Sequence, residues 1–310
     1  MPKAKEIVLE KFEISISYDF SEGMDLRKPK FETNAWIFIE VSKKEHIDKL
    51  LSIAYHIRNF LSLGVGDKIS ILAIEGKIKN TEEYKRIQIS CHIDEEISEE
   101  KVFLPPFMPF QYISISKHPE FYLKNWFNIA GNFEPTYDLF FGTMYNPHLY
   151  ATNEFLSLVQ AIESYQSRTI NNDVLPQNSF SEQLSQILNV INGLPKKYRE
   201  HFQIKAKCMN RKSLREMMKE LFEKYEKFFK PFINDKTRFI RKIVDTRNYY
   251  THYDKNSERN VVKPEYIPLI SQKLQFILII ILLKEIGFED EFVVQALQRY
   301  MRFRTIEHIF

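Results

Sequence analysis

The hydrophobic periodicity of this 310-residue chain changes from a strand pattern to a helix pattern part-way along its length. Near the amino terminus apolar and polar residues alternate, which is typical of strands with one buried face. Strands are predicted over 7–18, 36–39, 69–74 and 84–93. Apolar residues recur every three or four positions from Lys43 to Leu63, and Gly64 and Gly66 follow, which predicts one amphipathic helix and its end.

After Asn146 and Pro147 the helical repeat dominates. Helices are predicted over 149–168, 180–191, 214–229, 239–250, 267–286 and 292–303. We therefore expect an α+β protein in which residues 1–145 form a mixed strand and helix domain and residues 146–310 form an all-α helical bundle. The longest apolar run, Phe276 to Leu283, suits either the centre of the bundle or a subunit interface.

Composition excludes several classes of protein. Gly and Pro together are few (8 and 13 residues) and 44% of the chain is hydrophobic, so the chain is neither disordered nor collagen-like. The apolar run is far shorter than the ~20 residues of a membrane span, and the basic start leads into a charged strand, so we expect a cytoplasmic protein with no membrane partner. Two cysteines, Cys91 and Cys208, are too few for a disulfide framework and fit a reducing compartment.

The familiar signatures of cofactor and metal enzymes are absent from the sequence. The Gly64-Val65-Gly66 segment lacks the rest of either glycine-rich phosphate-binding loop, and no HExxH or GxSxG motif occurs. The eight histidines are scattered rather than paired at metal-ligand spacing. We therefore expect neither a metal nor a cofactor.

Positive charge is concentrated in one block, from Lys196 to Lys242, which contains sixteen Lys and Arg against six Asp and Glu. The chain as a whole carries only +3. Such a block is either a solvated helical face or a binding surface for a polyanion. If it binds RNA, the candidate phosphate contacts are Lys205, Lys207, Arg211, Lys212, Arg238 and Arg241.

One cluster of polar residues ends a predicted helix of this basic block, at Arg247, Asn248 and His252. The spacing from Arg to His alone is weak evidence, because two other pairs satisfy it, Arg86 with His92 and Arg302 with His308. In those two pairs an apolar residue follows the arginine, whereas polar Asn248 follows Arg247.

This segment resembles the catalytic Arg-x(4 to 6)-His signature of the HEPN superfamily of ribonucleases. Residues 155–165 look like the opening helix of the Apea-like HEPN family, and residues 247–252 look like its catalytic segment. Residues 47–66 resemble a helix of the domain that precedes the HEPN unit in these anti-phage proteins. The resemblance implies a HEPN-type bundle, a homodimeric endoribonuclease of abortive-infection defence, RNA such as tRNA as substrate, a phage-derived trigger, and Arg247, Asn248 and His252 as catalytic residues.

Metal-free RNA cleavage needs a base for the ribose 2′-hydroxyl, a cation for the phosphorane and an acid for the leaving oxygen. Histidine suits the proton transfers, and the planar arginine fork binds two phosphate oxygens. Such cleavage leaves a 2′,3′-cyclic phosphate and a 5′-hydroxyl. At ~100° per residue, Arg247 and His252 diverge by about 140°, so two copies facing each other across a dimer axis would complete the site better than one.

Two other interpretations stay open. Arg247 could belong to a surface ion-pair cluster with Asp245 and Asp254, with the neighbouring tyrosines packed at the edge of the core. Alternatively, the domain could be a catalytically silent HEPN module that binds a protein, RNA or a nucleotide.

Overall fold

The computed structural model describes residues 5–9, 12–23, 30–41, 43–80, 83–89, 104–253 and 260–303. These residues form two compact units. The first unit joins the described residues up to Gly131 with those from Leu282 onward, and the second unit comprises 132–281. A fold of small sheets followed by a helical region confirms the predicted α+β class.

Strands occur in the first unit. β1 (Lys5–Val8), β2 (Phe12–Gly23) and β3 (Lys30–Val41) form an antiparallel sheet in that order. β4 (Ile74–Asn80) pairs with β5 (Glu83–Ile89) in a second antiparallel pair. Residues 69–73, predicted as a strand, have no regular structure, and positions 90–93 of another predicted strand lie outside the described residues.

The predicted helix near the amino terminus is α1 (Ile47–Val65). It begins after His46, whose side chain accepts a hydrogen bond from the Asp48 amide, and it ends at Gly66 with a positive φ of 77°. A Cβ at Gly66 would lie 2.7 Å from the ring of Tyr300, so both backbone conformation and space require glycine there. The Tyr300 hydroxyl donates to the Gly66 carbonyl at 3.0 Å.

Helices also occupy part of the region that we predicted as strand-rich. α2 (Tyr112–Ile115), α3 (Pro119–Asn132) and α4 (Glu134–Tyr145) follow a short 3-10 turn at Pro105–Phe107. The indole of Trp126, fully buried in α3, donates to the His56 carbonyl of α1 at 2.8 Å. Aromatic residues fill this core, so no simple polar and apolar repeat identified these helices in the sequence.

The second unit contains most of the helices that periodicity predicts. They are α5 (Ala151–Thr169), α6 (Gln177–Asn192), α8 (Leu214–Lys224), α9 (Glu226–Phe229), α10 (Lys236–His252) and α11 (Ile267–Ile286). The unit also contains α7 (Lys196–Lys207), which was not predicted. α5 packs against α4, α8 and α10, and its apolar stripe, including Phe155, Leu158 and Ile162, is fully buried. The helix predicted over 214–229 is divided in two at Tyr225.

The last helix, α12 (Asp290–Phe303), groups with the first unit. The ring of Phe288 lies 5.1 Å from that of Phe110 and 4.7 Å from that of Tyr122. The compact units therefore divide the chain differently from the predicted domains 1–145 and 146–310, because these aromatic contacts hold Phe288 to the first unit. The ranges 1–145 and 146–310 remain a prediction of the domain boundaries.

The all-round apolar run of α11 is buried within one protomer. Every residue from Phe276 to Leu283 is at most 2% exposed, which makes the run a core element and leaves it no exposed face for a partner subunit. By length and composition Pro264–Ile286 is the one helix among the described residues that would be able to cross a membrane. Since 72% of its most apolar window is buried inside the protein, the core of a folded domain explains that composition.

Candidate active site

Helix α10 carries the Arg-Asn-His segment. The helix begins at Asp235, whose carboxylate accepts from the Arg238 amide at 2.9 Å. Its apolar side, which includes Phe239, Ile240 and Ile243, is buried, and the helix packs on α5 and α8. It ends at Tyr253, a left-handed residue with φ 50°, directly after His252. The sequence thus sets the polar segment on the last two turns of a well-anchored helix.

Arg247 is held in place by two side chains. Its Nη2 lies 3.1 and 3.3 Å from the two carboxylate oxygens of Glu163 in α5, and its Nη1 donates to the Asn248 amide oxygen at 3.2 Å. The Arg247 side chain is 31% exposed and that of Glu163 is 23% exposed, so the pair is partly shielded from water. A charge-assisted contact of this kind fixes the direction of the guanidinium plane.

His252 has a different environment. Its side chain is exposed, and within the described part of the chain it makes no hydrogen bond or ion pair. Five helical positions separate it from Arg247, so the two side chains leave α10 in directions about 140° apart. The structure brings Arg247 and Asn248 together, whereas His252 shares a face of α10 with Asn248 and points away from Arg247.

Asp245 and Arg247, two members of the ion-pair cluster that we considered as an alternative, have different partners. Asp245 binds Arg215 of α8 at 3.1 Å, whereas Arg247 binds α5, so the two residues brace different helices. Asp254, the third member of that cluster, lies outside the described residues.

Three tyrosines surround the end of α10. The rings of Tyr249, Tyr250 and Tyr253 lie with centroids 5.2 to 6.0 Å apart. Burial raises the pKa of Tyr250, and the charges of Tyr249 and Tyr253 raise it further. Tyr253 is 65% exposed, so the cluster extends from the edge of the core to the surface beside His252.

The chain returns to α10 after this end. The Val262 amide donates to the buried hydroxyl of Thr246 at 2.9 Å, and the Lys242 ammonium donates to the Asn260 carbonyl at 3.0 Å. Both contacts lie one to three turns before His252 on the same helix. They hold residues 260–262 against α10.

The six candidate phosphate contacts fall into two groups. Lys205, Lys207, Arg211, Arg238 and Arg241 are exposed. Lys212 is half-buried, and its ammonium binds Glu220 at 2.7 Å and the Asn171 carbonyl at 2.9 Å. Lys212 therefore supports the fold, which lowers its suitability as a phosphate ligand.

Glu163 is the residue of the site that sequence reasoning missed. It lies within the segment 155–165 that carries the family resemblance, at a helical position beside buried Ile162. Its acidic side chain beside the buried apolar stripe of α5 was the available signal. Among the described residues, no group of three His, Cys, Asp or Glu side chains is arranged to hold a metal ion.

Two family models match the chain, one on each side of residue 140. The Apea-like HEPN model matches residues 156–292, and the model for ApeA N-terminal domain 1 matches residues 2–126. The helical region 156–292 belongs to the Apea-like HEPN family. No curated protein and no solved structure matches it.

The Apea-like HEPN match includes Glu163, the three candidate catalytic residues and the six candidate phosphate contacts. The ApeA N-terminal match covers both sheets, α1, α2 and the first part of α3. This is a HEPN-domain protein of the ApeA defence context, and HEPN domains form a superfamily that usually has ribonuclease activity. The match extends to 292 and therefore crosses the boundary between the compact units at 281.

Proposed function

We propose that the protein is a cytoplasmic, metal-independent endoribonuclease that acts in anti-phage abortive infection. The observation that carries the proposal is the position of Arg247, which is fixed by Glu163 and Asn248 on the helix that ends at exposed His252. A fixed cation and a solvent-accessible imidazole are two components that cleavage of RNA by its own 2′-hydroxyl requires.

Arg247 would bind the scissile phosphate. Its guanidinium has five N–H donors, more than the contacts to Glu163 and Asn248 use, so donors remain for phosphate oxygens. The Glu163 carboxylate lowers the net positive charge of the site, but it also sets the plane of the Arg247 guanidinium. The orientation of that plane decides how well the developing charge on the phosphorane is stabilised.

His252 would move the protons. Histidine takes up and releases protons near neutral pH, so it can act as the base for the 2′-hydroxyl or as the acid for the leaving 5′-oxygen. The exposed position leaves room for a nucleotide beside the imidazole. Asn248, which already contacts Arg247, would orient the phosphate.

A homodimer through the helical region would complete the site, since one α10 directs Arg247 and His252 apart. Mixing an Arg247→Ala protomer with a His252→Ala protomer then restores a fraction of the cleavage that each variant lacks alone. A protein that sediments as a monomer while it cleaves RNA at a rate linear in enzyme contradicts the shared site. Because the apolar run of α11 is buried, another surface of the second unit must supply the contact.

The chemistry is tested by the ends of the cleaved RNA. Purified protein is incubated with total RNA, including tRNA, in EDTA, and the products are analysed by mass spectrometry. We expect 2′,3′-cyclic phosphate and 5′-hydroxyl ends, and DNA left intact. Products with 3′-hydroxyl and 5′-phosphate ends, or activity only with added magnesium, contradict the proposal.

A catalytically silent HEPN module is the second candidate. The divergence of Arg247 and His252 within one protomer favours it if no dimer forms. Because a phage-derived trigger is part of the proposal, the same incubation is repeated with lysate from phage-infected cells. RNA that stays uncut under both conditions, with a folded protein, decides for the silent module.

A further inference from the structure

Helices α6 and α7 form a hairpin with a clamped base. The two helices pack chiefly against each other. At the base, Val174 and Leu175 donate their amides to the Asn210 carbonyl and side-chain oxygen, both at 2.8 Å, and the Asn210 amide group donates to the Leu175 carbonyl at 3.0 Å. The Lys212 amide adds a bond to the Asn172 carbonyl at 2.8 Å. The hairpin is thus a defined projection of the second unit.

The outer side of α7 carries an exposed stripe. Tyr198, His201, Phe202 and Lys205 have the spacing i, i+3, i+4 and i+7, which aligns them along one face. Tyr198 is 47% exposed and Phe202 is 46% exposed, although both rings would be buried if α7 were a core helix. By contrast, Ala206 is buried. We call these four residues the α7 stripe.

Basic side chains surround the stripe. α7 contains five Lys and Arg and one acidic residue, Glu200. The Lys197 ammonium lies 4.7 Å from the centroid of the Tyr198 ring, and the His201 and Phe202 rings meet edge to face at 5.5 Å. A surface of exposed rings set among cations binds bases by stacking and phosphates by charge.

Charge and geometry indicate which kind of partner binds the α7 stripe. A second copy of the stripe would bring two strongly positive helices together. A lipid surface requires one continuous apolar face, but exposed Ile204 lies about 120° around the helix from Tyr198, and His201 and Lys205 interrupt the rings. The bases of a duplex are already stacked, so rings on a protein surface reach only the bases of single strands.

We propose that the α7 stripe is a stacking surface for single-stranded RNA, with Tyr198 and Phe202 against bases and Lys205 against phosphate. Only the choice of RNA as the polyanion rests on the proposed function. The surface lies on a different helix from Arg247 and His252, so it would select unpaired regions of the substrate and hold them while α10 acts.

Fluorescence anisotropy on the full-length protein tests the proposal. The probe is a short, unstructured 2′-O-methyl oligoribonucleotide in EDTA, which cannot be cleaved through its 2′-position, and a duplex of the same sequence is compared. Tyr198→Leu and Phe202→Leu each keep an apolar side chain but remove the aromatic face. We expect each to raise the Kd for the single strand about tenfold and to leave the duplex nearly unchanged.

Ile204→Ala is the matched control, since it removes an exposed apolar side chain of α7 outside the stripe. It should leave both affinities unchanged, and circular dichroism should show all three variants folded. Single-strand affinity that is insensitive to both ring substitutions overturns the proposal. The proposal is also overturned if the main effect of Phe202→Leu is that dimers are lost, or that binding to vesicles with anionic lipid is lost.

The two proposals fail separately. If the ring variants lose single-strand affinity but wild-type protein never cuts RNA, the stacking surface stands and the nuclease assignment fails. If wild-type protein cuts RNA while the ring variants bind single strands normally, the nuclease assignment stands and the stacking surface fails.

Discussion

The basic block from Lys196 to Lys242 contains two regions that use positive charge differently. On α8 and α10, Arg215 pairs with Asp245 and Lys236 pairs with Glu223, so these cations join the two helices. On the α6–α7 hairpin, Lys205 and Lys207 are exposed. A count of charges treats both regions alike, but the first uses cations to join helices and the second leaves them for a ligand.

The largest expected effect concerns the end of α10. Arg247→Ala and His252→Ala should each lower RNA cleavage by about 10² to 10⁴-fold, because each removes a group that acts on the transition state. The melting temperature should change little for His252→Ala, since the side chain is exposed. Cleavage assays and calorimetry measure the two quantities.

Three controls accompany this comparison. His92→Ala and His308→Ala belong to the other Arg and His pairs of matching spacing, and His118→Ala removes another exposed histidine. All three should stay active. Full cleavage by His252→Ala, or loss only on changing His308, would move the site elsewhere.

The next effect is on the base of the hairpin. Asn210→Ala removes the side-chain bonds to Leu175 at a position that is 6% exposed, and we expect about 2 kcal/mol less stability. Asn192→Ala, which removes only an exposed bond from Gln203, should cost less than about 0.5 kcal/mol. Urea unfolding compares them, and equal costs would show that the base is not clamped.

A smaller effect is expected at Glu163. Glu163→Ala should lower cleavage roughly tenfold, because the guanidinium of Arg247 loses its fixed direction. Glu163→Gln should retain more activity, since the amide oxygen can still accept from Arg247. Cleavage that rises in Glu163→Ala would mean that the carboxylate restrains Arg247 rather than positions it. The kcat of each variant decides.

The smallest effect separates two lysines. Lys212→Ala should lower stability by about 1 kcal/mol, because the ammonium loses Glu220 and a carbonyl partner, whereas Lys205→Ala should leave stability unchanged. In binding the order reverses, and Lys205→Ala should reduce the slope of log affinity against log salt by about 0.7 for single-stranded RNA. Equal slopes for the two variants would remove the distinction between the regions.

The local hydrophobic periodicity of the sequence predicted much of the fold. The periodicity of α1, α5, α10 and α11 predicted these helices within a few residues, because each buries one stripe or its whole circumference. It missed α3, whose core contacts are made by aromatic residues such as Trp126, and it missed α7, whose rings face outward. Nothing local predicted that Phe288 would pack on Phe110, since long-range packing has no sequence period.

The candidate site was predictable only in part. The resemblance identified Arg247, Asn248 and His252, and helical geometry gave their divergence. The partner of Arg247 lies 84 residues earlier in the chain, so no spacing within the segment could point to Glu163. Similarly, Lys212 and Lys205 look equivalent in the sequence, and only Glu220 and Asn171 distinguish them.

The close approach of Tyr300 to Gly66 affects the order in which the protein folds during synthesis. The first unit contains residues near both ends of the chain, so its core cannot be completed until α12 has been made. Although domains at the amino terminus usually fold first during synthesis, here the amino-terminal unit must await α12.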